Sequence, residues 1–240
     1  MWEKLKSVLA IPQLQLTLRS IAFGAALYWL RMSEFSWVSL VVFLGIIGFT
    51  FFRVHPLSMF VVLGVLLGMI RTLDSFWFIS GAAISGAVFF YLSFGIRQLV
   101  FVHRIGWYAV RNVLLLYFTY LLFFITDKST GFWWQFLLVL AAVFILIYEW
   151  LILFERSFPK RYLIAALAMT FLIGELLWST ALLPLGLINN SSLLILCTYI
   201  LVYLTHHHFH GTLQKALSWK NAAIFLMTLL VIFWSASWKL

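Results

Sequence analysis

Few side chains in this sequence could do chemistry, and those that stand out do so because of where they fall. Glu175 lies inside an apolar run, within Phe171-Leu172-Ile173-Gly174-Glu175-Leu176-Leu177-Trp178-Ser179, thirteen residues past the start of that run at 162. On a helix rising ~1.5 Å per residue, this is about 20 Å from the near end. An ionised carboxylate at such depth in hydrocarbon is costly unless paired or hydrated; as a rule it faces a bundle interior and marks an ion, proton or substrate site. Ser179, one turn further on, offers a hydroxyl, and no lysine or arginine occurs at matching depth. Glu175 and Ser179 are therefore the candidate ion or substrate site. The structural alternative is a hydrogen-bonded contact that fixes helix packing.

The second concentration is Thr205-His206-His207-His208-Phe209-His210-Gly211, which holds four of the six histidines. On a helix, His206 and His210 lie one turn apart and His207 and His210 three residues apart, both spacings able to share a metal ion. A membrane enzyme of the desaturase or hydroxylase kind needs several separated histidine boxes. Here one cluster accompanies only the lone His55 and His103, and no HxxHH element is present. A polar interfacial segment is the simpler account. No cofactor is predicted, and His206, His207 and His210 are the residues that a metal would use.

Arg97, Arg104 and Arg111 recur every seven residues. On a continuous helix that period keeps them within roughly 40° of one another. Such a stripe along the cytoplasmic interface would meet anionic headgroups, at about 1 kcal/mol per cation. Glu149, near Glu155, Arg156, Lys160 and Arg161, reads as an interfacial ion pair. Cys197 is the only cysteine, which excludes an intrachain disulfide, a CxxC redox pair and a thiolate zinc site.

The elements that must position these residues are set by composition. Hydrophobic residues make up 65% of the 240 and charged ones 10%, against roughly 45 to 50% and about 25% in soluble domains. A soluble core cannot absorb that surface. Apolar blocks near 13–30, 36–52, 57–72, 75–96, 108–126, 132–154, 162–183, 191–205 and 222–238 predict an all-α, polytopic transmembrane bundle of about nine spans, one integral membrane domain over 1–240. The blocks at 57–72 and 191–205 are the shortest for a full crossing. The Met1–Ala10 segment, with Lys4 and Lys6, reads as the lead into an uncleaved first span.

Cytoplasmic loops retain Lys and Arg during insertion. With nine spans, twelve of the sixteen fall on the side of the N-terminus and four, Arg31, Arg71, Lys128 and Lys239, on the other. That places the N-terminus in the cytoplasm and the C-terminus outside. Trp and Tyr collect at span ends, as interfacial anchors do. Gly64 and Gly68 in the third block, with Gly81/Ser85 and Ala82/Gly86 in the fourth, predict a close hairpin of those two spans. Asn189 to Ser192 read as a polar outside turn.

No kinase, hydrolase, P-loop or dinucleotide motif is present. The leading expectation is a non-enzymatic scaffold or subunit of a membrane complex in the cell (plasma) membrane. Its partners would be anionic headgroups on the cytoplasmic side and other membrane subunits, with no nucleic acid. The alternatives are a transporter or channel using Glu175, and a lipid-modifying enzyme using the histidines.

Overall fold

The computed structural model describes residues 12–51, 58–72, 76–97, 104–126, 131–153, 160–213 and 219–236. The N-terminal lead segment, His55, His103, Glu155 and Arg156 lie outside the described residues.

Among the described residues there are nine helices and no strand: α1 (Pro12–Met32), α2 (Trp37–Phe51), α3 (Ser58–Thr72), α4 (Phe76–Arg97), α5 (Arg104–Ile125), α6 (Phe132–Leu153), α7 (Lys160–Ala181), α8 (Leu187–Phe209) and α9 (Trp219–Ser235). Each coincides with one of the apolar blocks. In hydrocarbon, every backbone N–H and C=O must find its partner within the chain, and a helix satisfies them all locally. Among the described residues, four stretches are long and apolar enough to cross a membrane: Gly106–Ile125, Phe132–Ile152, Lys160–Ala181 and Leu187–Phe209. They mark the chain as a helical membrane protein.

Helix ends follow local chemistry. Pro12 opens α1, where its missing N–H is not needed. Ser36 caps α2, its Oγ accepting from the Ser39 N–H at 3.3 Å. The eighth block is longer than its sequence suggests. α8 runs 23 residues and takes in Asn189 to Ser192, which were expected as a turn. The reason is local: Asn189 Nδ2, Ser191 Oγ and Ser192 Oγ donate to the carbonyls four residues back, of Leu185, Leu187 and Ile188, as helical geometry allows.

The chain divides into two compact units, Met1–Arg111 and Asn112–Leu240. In the first, α1 lies across α4, and α2 and α3 flank them. Phe23 of α1 stacks on Phe90 of α4 at 4.9 Å. The closest approach is at Gly24, where a methyl would stand 2.9 Å from the Ala83 carbonyl oxygen, and at Gly86, where it would overlap Leu27 of α1 and crowd Leu66 of α3. The predicted α3–α4 contact is present, but Gly64 and Gly81 face open space. The tight crossing belongs instead to α1 and α4.

In the second unit, α6, α7, α8 and α9 pack in chain order as neighbours, as short connections favour. Leu146, Ile147, Ile173, Leu177 and Leu194 fill the interior. A smaller cluster of Leu185, Leu193, Leu196, Ile232 and Ala236 joins α8 to α9.

Candidate functional site

α7 begins at Lys160, and Glu175 stands fifteen residues along it, or about 22 Å. Its side chain lies on the exposed face of the helix, with Phe171 (68% exposed), Leu172 and Trp178, and not in the interior. The buried face carries Tyr162, Ala166, Met169, Ile173 and Leu177. Ser179 does not serve the carboxylate; its Oγ donates to the Glu175 backbone oxygen at 2.9 Å. Among the described residues, the Glu175 carboxylate has no hydrogen-bond or ionic partner.

Glu175 forms a ridge between two grooves. One, about 520 Å³, lies between α6 and α7 and is lined by Phe136, Leu140, Phe171, Gly174, Glu175, Trp178 and Ser179. The other, about 430 Å³, lies between α7 and α8 and is walled by aliphatic side chains and Cys197. Aromatic rings gather at the head of the first groove. Trp178 stacks on Trp133 at 5.8 Å and meets Phe132 and Phe136 edge-on at 5.4 and 6.3 Å. Exposed Trp133 and Trp134 have the character of an interfacial belt. Glu175 stands three residues, about one turn, before Trp178 on α7. In the first unit, a groove of about 600 Å³ between α1 and α4 is floored by Ser20, Gly24, Ala83 and Ala87, and no acid or histidine lines it.

The histidines sit where α8 ends. Gly211, at φ 66°, reverses the chain. The Gly211 and Thr212 N–H groups return to the carbonyls of His208 and His207 at 3.1 and 2.9 Å, a Schellman closure. His210 Nδ1 donates to the His206 carbonyl at 2.9 Å, and the two rings lie 4.2 Å apart. His207 turns the other way, with Nδ1 2.7 Å from Thr212 Oγ1 and its ring 4.5 Å from Tyr203. The structure thus brings His206 closest to His210, while His207, its ring 5.7 Å from that of His206, turns toward Thr212 and Tyr203. Among the described residues, no three His, Cys, Asp or Glu side chains form a metal-binding group. Phe209 packs on Tyr162, near the start of α7, so the histidines and Glu175 occupy opposite ends of α7 and share no site.

Of the three arginines, Arg97 closes α4 and Arg104 opens α5. Arg111 is buried (2% exposed), its guanidinium over the Tyr108 ring at 4.2 Å, and is withdrawn from any surface stripe.

Sequence reasoning passed over the polar groups inside the second unit. Tyr120 and Thr198 are both buried and bonded at 2.8 Å. Asn112 Nδ2 reaches the Leu146 carbonyl at 3.4 Å. A hydroxyl or amide in an apolar run was the available signal, but nothing in the run said which neighbour it would meet.

No protein-family model, curated protein or solved structure matches this chain.

Proposed function

We propose that this protein is a non-catalytic scaffold or subunit of a membrane complex. In this reading it crosses the cell membrane nine times, with the N-terminus in the cytoplasm and the C-terminus outside. One observation carries the proposal: Glu175 of α7 faces outward, while the buried hydroxyls of Tyr120 and Thr198 join α5 to α8 and those of Thr198 and Thr170 bond to their own helix backbone. A transport path needs polar groups left available along an interior route. A subunit needs an interior that is packed and an outer surface with features for others to read.

The test is the state of the full chain extracted from its own membranes into lipid nanodiscs. The expected result is a particle heavier than the 27.8 kDa chain, carrying a second polypeptide in fixed ratio. A lone monomer in nanodiscs and in every mild detergent overturns the proposal.

A transport reading draws on the unpartnered Glu175 carboxylate beside two grooves. It requires proton- or ion-coupled flux in proteoliposomes that Glu175→Gln abolishes; flux unchanged by that substitution removes it.

A further inference from the structure

We propose that the groove between α6 and α7 binds a bilayer amphiphile whose head carries an ammonium group, the cation lying against Glu175 and its alkyl chain along Leu140 and Phe171. The inference goes beyond the subunit reading and does not depend on it.

Charge complementarity is the first argument. The Glu175 carboxylate is unpartnered among the described residues and opens into this groove, although the chain as a whole carries a formal charge of +9. A cation is therefore drawn to this spot by its local surroundings and not by the general field. The second argument is the wall. Phe136 and Trp178 line the same groove, and electron-rich ring faces attract ammonium groups, most of all quaternary ones. The α7–α8 groove shares Glu175 but has no aromatic lining, so the two are not equivalent.

The order of residues along the groove then selects an amphiphile. Trp178 and Ser179 lie toward the Trp133 end, Glu175 and Gly174 come next, and Phe171 with Leu140 continue deeper. A head at belt level and a chain running toward the bilayer centre match that sequence of surfaces. The volume, about 520 Å³, is within the usual range of small-molecule sites. An inorganic divalent cation fits poorly. It demands several oxygen ligands, and beside the carboxylate the side chains lining the groove offer only the single oxygen of Ser179.

The experiment uses the full chain in dodecyl maltoside micelles, whose sugar heads carry no charge, and an undecyl-trimethylammonium probe with a dansyl group at the chain end. Energy transfer from tryptophan reads binding. Saturable binding is expected, at least tenfold weaker in Glu175→Gln and largely kept in Glu175→Asp. A several-fold loss is expected in Trp178→Leu, and no change in Glu149→Gln. The same probe with a sulfonate head should not saturate. Diheptanoyl phosphatidylcholine should displace the probe, whereas the matching phosphatidylglycerol and free choline should not. Wild-type affinity in a folded Glu175→Gln protein overturns the proposal, as does equal binding of the sulfonate probe. Displacement by free choline at equal concentration would assign the site to a water-soluble ammonium ion and overturn it as well.

Discussion

The Tyr120 hydroxyl lies 2.8 Å from Thr198 Oγ1, joining α5 to α8 in the interior of the second unit. Thr198 has already given its own hydrogen to the Leu194 carbonyl at 2.7 Å, so the proton between the two side chains is the tyrosine's. The direction of that bond makes the two partners unequal. Thr198→Val leaves a fully buried phenol with a hydrogen and no acceptor, which costs about 1–3 kcal/mol, whereas Tyr120→Phe removes the donor and costs about 0.5–1.5 kcal/mol. Thermal unfolding in micelles should rank Thr198→Val below Tyr120→Phe, and the double variant should lose less than the sum of the two. Equal, additive losses would contradict the assigned direction.

Gly86→Ala should destabilise by about 1–3 kcal/mol, because the added methyl meets Leu27 and Leu66 in a packed crossing. Gly64→Ala, with open space at its Cα, should stay within about 0.5 kcal/mol of wild type. Reversible unfolding in mixed micelles compares them. The reverse order would make α3 and α4 the seat of close packing.

Glu175→Gln and Ser179→Ala should each leave stability within about 0.5 kcal/mol, since the carboxylate holds no other helix and the hydroxyl bonds only to its own backbone. A loss of 2 kcal/mol or more, on the order of a broken buried hydrogen bond, would instead favour the interhelical packing role for Glu175.

Gly211→Ala should fray the last turn of α8. The residue holds φ 66°, a left-handed conformation that costs a side-chain-bearing residue about 1–2 kcal/mol. Faster hydrogen exchange is expected at the Gly211 and Thr212 amides, which close the turn, with the amides of the α8 interior unchanged.

What the sequence determined by itself was the set of helices. A membrane fixes the apolar length, and a backbone without water must bond to itself, so runs of apolar residues give the helices to within a few residues. The exception, Asn189 to Ser192, fell where polar side chains can serve either a turn or their own helix. In α8 Asn189, Ser191 and Ser192 bond to carbonyls four residues back, and no pattern in the run distinguishes the two outcomes. What only the tertiary structure decided was which way each helix faces. Lipid and protein interior are equally apolar, so the buried and outer faces of α7 read alike in sequence. Only packing against α6 and α8 turned Ile173 and Leu177 inward and Glu175 outward. For the same reason the close contacts lie at Gly24 and Gly86, while Gly64 of the predicted GxxxG faces open space. Small residues permit an approach, but the partner that makes it is set by the fold of the whole unit.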